Sequence, residues 1–138
     1  MRASEVMVGN PYVAVAGATA SEVAIMFRTR NISVVPVVDD HRVRTFLGLL
    51  SDRDLVTRCV AQGKDVHTTR ADELMRTESC VVKADQELDG FELHMDQDPT
   101  ESHLRPTITV VDSDNRVVGF ISHPELVAGL KIHWTSVG

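Results

Sequence analysis

An internal repeat constrains the fold of this chain more than any other feature. Segments 34–55 and 108–126 both read as an apolar strand, an aspartate, a polar turn, a second apolar strand with one glycine, and then Ser-x-x-acid-Leu. Self-similarity at a fixed spacing is typical of duplicated supersecondary units that bury a core together. Three matched pairs are each 71 residues apart (119 − 48, 122 − 51 and 125 − 54), namely Gly48 with Gly119, Ser51 with Ser122, and Asp54 with Glu125.

A shorter match lies upstream of each copy. Residues 5–7 (Glu-Val-Met) correspond to residues 73–75 (Glu-Leu-Met), with a spacing of 68 residues (73 − 5). The change in spacing indicates small insertions in loops, where insertions are tolerated. We therefore place the first repeat at residues 1–66 and the second at residues 67–138, and we expect the two to form one module.

Each copy is predicted to follow the order β-α-β-β-α, which is an α/β fold. The first predicted helix places Val23, Met26 and Phe27 on one face. In the first copy we predict strands at 12–15, 34–38 and 45–50 and a helix at 18–30. A second helix is predicted to begin with Ser51 as its cap and to end at Gly63. Its buried residues are predicted to be Leu55, Val56, Cys59 and Val60. In the second copy we predict strands at 80–83, 107–111 and 117–121, and helices at 85–95 and from Ser122.

Composition and motifs exclude several classes of protein. The net charge of −6, from 14 basic and 20 acidic residues, argues against nonspecific nucleic-acid binding, because that requires a basic face. No apolar stretch approaches the ~20 residues of a membrane span, and no signal peptide is recognisable. Cys59 and Cys80 form neither a disulfide framework nor a zinc spacing, so we expect a reducing cytoplasm. The six histidines show no metal-ligand spacing, and no nucleophile, Walker A or dinucleotide motif occurs, so we predict neither a metal site nor an enzyme.

The segment from Gly48 to Asp54 is the strongest candidate for a ligand site. A strand is predicted to run into Gly48 and a helix to begin at Ser51, so free backbone N–H groups and the positive end of the helix dipole point out of the first turn. The carboxylate of Asp54 projects from the same turn and can accept two hydroxyl hydrogen bonds, which suits the vicinal diol of a ribose. An anionic ligand would favour residues 1–66, with 8 basic and 7 acidic residues, over residues 67–138, with 6 and 13.

The same motif also has a purely structural interpretation. Ser-x-x-acid is a capping box, in which the serine hydroxyl accepts from the third backbone N–H and the acid accepts from the backbone N–H of the serine. Glutamate suits this reciprocal bond better than aspartate. Ser122 to Glu125 is therefore more typical of a cap and Ser51 to Asp54 of a site, although the chemistry alone leaves both interpretations open.

The whole pattern resembles a tandem pair of CBS domains, the cystathionine β-synthase type. The resemblance rests on the paired β-α-β-β-α repeats and on Gly-h-h-Ser-x-x-Asp, where h is an apolar residue, and it covers about residues 5–130. Residues 31–39 resemble the second strand of the family. Residues 48–63 resemble a subgroup of small stand-alone bacterial members, some of them linked to hypoxia or dormancy. The resemblance implies an α/β fold of two repeats that pack with pseudo-two-fold symmetry.

The resemblance also implies a function. It implies a non-enzymatic regulatory module that requires no cofactor and binds an adenosine-type nucleotide, AMP-like or ATP-like, between the repeats. Ser51 and Asp54 would hold the ribose, and Leu49 would flank the adenine. Arg53 is a candidate for a phosphate contact, whereas Arg58 is better explained by a surface ion pair. The residues before the strand proline would line the same cleft: Ile32, Ser33 and Val34.

The second copy departs from the family pattern. Glu125 is one methylene longer than the expected aspartate, and Thr109 stands where the first copy has its strand proline. Ser122 and Glu125 are therefore only a second candidate site.

The partners follow from the same resemblance. We expect a homodimer through outward apolar residues of the helices that start at Ser51 and Ser122, and an effector protein of unknown identity. The alternative is a ligand-free dimerisation or interaction module in which both Ser-x-x-acid turns are only helix caps.

Overall fold

The computed structural model of this protein describes residues 1–77, 81–96 and 107–135. The chain divides into two compact units, which we name by their connectivity. The contiguous unit is Tyr12–Thr77, and the split unit is Met1–Pro11 together with Glu78–Gly138. Short helices and sheets alternate along the chain, which confirms the predicted α/β fold class. The repeat boundary between residues 66 and 67 stays a prediction.

The elements of both units are short. Within the described ranges, no helix has the length and apolar character that crossing a membrane requires. In chain order the elements are α1 (Ala3–Val6), β1 (Val8–Gly9), β2 (Ala14–Val15), α2 (Ala20–Arg30), β3 (Val34–Val38), β4 (Phe46–Ser51), α3 (Asp52–Asp54) with the π-helical segment Leu55–Val60, α4 (Ala71–Leu74), β5 (Val81–Lys83), β6 (Glu92–Asp96), β7 (Ile108–Val111), β8 (Val117–Ile121), the 3-10 helix Pro124–Leu126 and β9 (Lys131–Thr135).

A three-stranded sheet and helix α2 form most of the contiguous unit. β3 lies between β2, to which it is parallel, and β4, to which it is antiparallel. Helix α2 begins after Thr19, whose Oγ1 accepts a hydrogen bond from the N–H of Glu22 at 3.2 Å. It ends at Asn31, which adopts the left-handed conformation common at helix ends. The core contains Ala14, Ala20, Val23, Phe27, Val35, Val37, Leu50, Leu55, Cys59, Ala71 and Leu74.

The prediction that Val56 and Val60 face this core is wrong. Leu55 and Cys59 are buried, whereas the side chains of Val56 and Val60 are 58% and 60% exposed. Leu55 and Cys59 lie on one stripe of the helical segment and Val56 and Val60 on the neighbouring stripe, and only the first stripe packs in the core.

The described part of the split unit contains two sheets. In the first, with strand order β1-β8-β7-β5, β8 is antiparallel to both β1 and β7, and β7 is parallel to β5. The second sheet is the parallel pair β6 and β9. Cys80, the first residue of the predicted strand 80–83, lies outside the described residues. The core contains Ala3, Val82, Leu88, Leu93, Ile108, Val110 and Ile121.

The two helices predicted in the second copy are wrong. Residues 85–91 form turns and no helix, Gly90 has φ +76°, and residues 92–96 form strand β6. The helix predicted from Ser122 is reduced to the 3-10 helix at Pro124, and Gly129, with φ +81°, precedes strand β9. A residue with positive φ cannot lie within a right-handed helix, so no continuous helix can pass through Gly90 or Gly129.

The matched glycines of the repeat each face a backbone that comes from the opposite copy. A Cβ at Gly48 would lie 2.6 Å from the Arg76 carbonyl oxygen, and one at Gly119 would lie 2.8 Å from the Val8 carbonyl oxygen. Residues 76 and 8 directly follow the matched upstream segments 73–75 and 5–7. The upstream segment of each sequence repeat therefore packs in the unit that contains the glycine strand of the other repeat.

Candidate functional site

The predicted site lies where β4 ends and α3 begins. The Ser51 Oγ accepts a hydrogen bond from the N–H of Asp54 at 3.1 Å. The Asp54 Oδ2 in turn accepts from the N–H and from the Oγ of Ser51, both at 2.9 Å. These bonds complete a capping box, so the structural interpretation of the motif is realised at this turn.

The Asp54 carboxylate is buried and paired with arginine. Asp54 is only 1% exposed. Its Oδ1 accepts a hydrogen bond from the Arg76 Nε at 2.8 Å, and the Arg58 Nε lies 3.8 Å from the same oxygen. The two arginine side chains are 41% and 44% exposed, respectively. A buried carboxylate requires such partners, because desolvation of an unpaired charge is costly.

The two arginines are held in different ways. The Arg58 Nη1 donates to the carbonyl oxygens of Leu74 and Met75, both at 3.3 Å, so Arg58 also caps the last carbonyl groups of α4. The backbone of Arg76 is fixed by two hydrogen bonds with Leu49, at 2.9 Å and 2.8 Å. Arg58 forms an ion pair, as predicted, but its partner is the buried carboxylate of Asp54 and not a surface group.

The other predicted residues lie around the same turn. Val34 is the register partner of Ser51, and the carbonyl oxygen of Ser33 accepts from the N–H of Asp52 at 2.9 Å. Ile32, Val34 and Leu49 are half-buried, and Ser33 and Arg53 are exposed. The structure thus brings the first-copy residues to one end of β3 and β4, and their role in binding stays a prediction.

The second candidate site differs from this arrangement in the residues that the structure describes there. The 3-10 helix at Pro124 has His123 at its N-cap, with no side-chain cap hydrogen bond, so Ser122 lies one residue before the capping position. The side chain of Glu125 lies outside the described residues. The position that matches Arg76 is Val8, which carries no charge, so the Asp54–Arg76 ion pair has no equivalent there.

Sequence reasoning missed Arg76. Its contact with Asp54 spans 22 residues and depends on how the chain after α4 pairs with Leu49. The upstream match marks residues 73–75, directly before Arg76, as a recurring segment, but it does not indicate the contact of Arg76 with Asp54.

Two aspartates outside this site have lowered pKa values. Desolvation opposes the change at Asp39, but hydrogen bonds from the backbone of Asp40 and from the side chain and backbone of Thr45 hold its pKa below the ordinary 3.8. The backbone N–H of Arg116 is the main cause at Asp112, where the N–H of Asp114 and the Arg116 side chain also lower the pKa. Both aspartates begin the turn between the paired strands of their copies.

No group of three or more His, Cys, Asp and Glu residues is placed to hold a metal ion among residues 1–77, 81–96 and 107–135. Cys59 is buried with a free thiol.

Comparison with known proteins places this geometry in context. The family described as CBS domain matches residues 3–61. The CBS domain-containing protein YhcV of Bacillus subtilis is 30% identical over 108 residues, which cover 78% of this chain and 70% of YhcV. Hypoxic response protein 1 of Mycobacterium tuberculosis is 29% identical over 116 residues, which cover 83% of this chain and 75% of that protein.

Solved structures agree on the fold. A crystal structure of Hypoxic Response Protein I with two coordinated zinc ions has a TM-score of 0.68 at 23% identity and covers 88% of this chain and 93% of its own. A crystal structure of CBSX2 in complex with AMP has a TM-score of 0.61 at 18% identity and covers 88% and 89%, respectively. At these identities the likeness concerns the fold alone.

Proposed function

Because this chain belongs to the CBS-domain family, whose members are regulatory modules, we propose that it is a non-enzymatic cytoplasmic regulator that binds an adenosine-type nucleotide. The proposed site is the turn at Ser51 and Asp54 in the contiguous unit. The observation that carries the proposal is that the hydroxyl of Ser51 and the guanidinium groups of Arg76 and Arg58 all lie close to the two carboxylate oxygens of Asp54. The AMP complex of the structural neighbour CBSX2 supports the choice of ligand class.

The chemistry of the group matches the parts of a nucleotide. A carboxylate and a serine hydroxyl together can satisfy the two adjacent hydroxyls of a ribose. Guanidinium groups form strong, charge-assisted hydrogen bonds with phosphate. The half-buried apolar side chains of Ile32, Val34 and Leu49 offer a surface for the adenine ring.

The alternative function is a ligand-free interaction module. The observation that favours it is the complete capping box together with the 1% exposure of Asp54, because both explain the motif without a ligand. In either case we propose a homodimer that transmits its state to an effector protein. Val56 and Val60, exposed and four residues apart on the π-helical segment, support a surface that a second copy would cover.

A melting and calorimetric screen separates the two functions. We expect AMP or ATP to raise the melting temperature of the purified protein, because a ligand that binds only the folded state stabilises it. ADP, NAD, GTP and S-adenosylmethionine complete the screen. The absence of a shift with all six compounds would favour the ligand-free module.

Substitution of the matched acidic residues tests the location of the site. Asp54→Asn should weaken nucleotide binding about 10- to 150-fold, the scale of hydrogen bonds to a charged group. Glu125→Gln is the control at the matched position of the other copy and should change the affinity little. Equal effects of the two substitutions, measured by calorimetry, would contradict the proposed location.

A further inference from the structure

The Asp54 carboxylate cannot receive a ligand in the arrangement described above. Its Oδ2 accepts hydrogen bonds from the N–H and the Oγ of Ser51, and its Oδ1 accepts one from the Arg76 Nε. Only 1% of the residue is exposed. Oδ1 has a second acceptor position, but because Asp54 is buried we expect a ribose hydroxyl to reach it only when the Arg76 guanidinium moves away. Any nucleotide that binds through Asp54 therefore displaces Arg76.

We propose that Arg76 exchanges partners during binding and thereby selects 5′-phosphorylated ribonucleosides over nucleosides. This inference rests on the proposed function of the same site. The guanidinium leaves the Asp54 Oδ1 for the phosphate of the ligand, and a ribose hydroxyl takes its place on that oxygen. A nucleoside brings no anion, so it breaks the Arg76 ion pair without replacing it.

The surroundings of Arg76 allow this exchange. Its side chain is 41% exposed, so the guanidinium can turn toward an anion in solvent. Its backbone stays fixed by the two hydrogen bonds with Leu49, and its carbonyl oxygen packs against Gly48. Only the side chain therefore has to move.

Arg58 makes the exchange less costly for Asp54. Its Nε lies 3.8 Å from the Asp54 Oδ1, and its Nη1 is held by the carbonyl oxygens of Leu74 and Met75. When Arg76 leaves, this second guanidinium remains beside the buried carboxylate. The fixed arginine thus neutralises Asp54, and the other is available to the ligand.

Calorimetric titration with AMP and with adenosine tests the exchange. The wild-type protein should bind AMP about 10- to 100-fold more tightly than adenosine, the scale of a charge-assisted hydrogen bond. Arg76→Ala should weaken the binding of AMP and strengthen that of adenosine, so the ratio of the two affinities should approach one. Arg76→Gln keeps a hydrogen-bond donor for Asp54 but no charge, so its ratio of AMP affinity to adenosine affinity should also approach one. This variant keeps the test possible if the alanine variant does not fold.

Arg70→Ala is the matched control. Arg70 belongs to the same unit, is exposed, and pairs with Asp72 at 2.9 Å, so its loss removes the same charge outside the site. This variant should keep the wild-type ratio. If both Arg76 variants bind AMP and keep the wild-type ratio of affinities, the exchange is wrong and the proposed function stands. If none of the proteins binds AMP or adenosine, both the proposed function and the exchange are wrong.

Discussion

Asp39 and Asp112 stabilise the two matched turns through hydrogen bonds to their carboxylates. The Asp39 Oδ1 accepts from the N–H groups of Asp40 and Thr45, at 2.7 Å and 2.8 Å. The Asp112 Oδ1 accepts from the N–H groups of Asp114 and Arg116, both at 2.9 Å. Because these bonds favour the ionised carboxylates, the folded state binds protons at lower pH than the unfolded chain does.

This difference predicts a pH-dependent contribution to stability. A carboxyl group whose pKa is lowered in the folded state stabilises the protein above its unfolded pKa, and the contribution is lost as the pH falls through the folded value. Asp112→Asn should therefore lower the free energy of unfolding at pH 7, and its difference from wild type should shrink as the pH falls below about 3.8. Urea unfolding between pH 7 and pH 3 measures this difference.

Two further variants make this test specific. Asp39→Asn should behave in the same way, because the pKa of Asp39 is lowered too. Ser113→Ala changes the same turn as Asp112→Asn without removing a carboxylate, so its effect should not vary with pH. A constant difference between wild type and Asp112→Asn over the whole range would contradict the assignment.

Single residues of the site were predictable to different degrees. The contact between Ser51 and Asp54 follows from a spacing of three residues at a helix start, so the sequence predicts it directly. Both roles of the motif, a helix cap and a ligand site, are compatible with that contact. Arg76 reaches Asp54 only through the packing of a segment 22 residues later in the chain, which local patterns do not specify.

At the scale of elements, the two repeat glycines permit a close approach of backbone to strand. β4 meets the chain after α4 at Gly48, and β8 meets the chain after α1 at Gly119. The neighbours include the sulfur atoms of Met75, 2.9 Å from a Cβ built at Gly48, and of Met7, 2.5 Å from one built at Gly119. A methyl group at either position would overlap a carbonyl oxygen that backbone pairing holds in place.

Alanine at these glycines should therefore destabilise the protein. We expect Gly48→Ala and Gly119→Ala each to cost about 1–3 kcal/mol of unfolding free energy, the range for overpacking of a tight contact. Gly9→Ala in β1 is the control, since its Cβ would meet its nearest neighbour at 4.0 Å. Chemical denaturation measures the three values, and equal stabilities for all three variants would show that the strands do not constrain these positions.

The strands β6 and β9 could have been predicted from the sequence. Residues 92–96 (ELHMD) and 131–135 (KIHWT) both alternate polar and apolar side chains, which is the period of a half-buried strand. Leu93 is buried beside the exposed Glu92, and the two strands pair in register. The order of elements in the first copy and the helical spacing of Leu88, Phe91 and Met95 both favour a helix over 85–95, and that prediction is wrong. The period-two alternation of residues 92–96 is the better guide, because the repeats have diverged at these positions.

At the scale of the whole molecule, the exposed valines of the π-helical segment carry the prediction of a dimer. Val56 and Val60 lie on one face, and a glutamate at position 60 would place a charge within any apolar interface that covers it. Light scattering should therefore show a dimeric wild-type protein and a monomeric Val60→Glu variant. Ile25→Glu, on the exposed face of α2 with 48% exposure, is the control and should stay dimeric. A monomeric wild type, or a Val60→Glu variant that remains a dimer, would contradict the prediction.

The duplication predicted the α/β fold class and most strands of the molecule, including β3 and β8 with their observed bounds. It did not reveal that Met1–Pro11 belong with residues from the other end of the chain. The repeats mark where similar segments recur along the chain, whereas the compact units depend on which segments pair. That pairing involves long-range contacts such as Val8 with Phe120, which composition and local pattern do not encode.

The interleaved chain sets an order for folding during synthesis. Once residue 77 has left the ribosome, every element of the contiguous unit has been made, so this unit can fold while translation continues. Strand β1 has by then emerged without its partner, since Val8 pairs with Phe120. Residues 1–11 must therefore wait for residues that follow position 77 before the split unit can close.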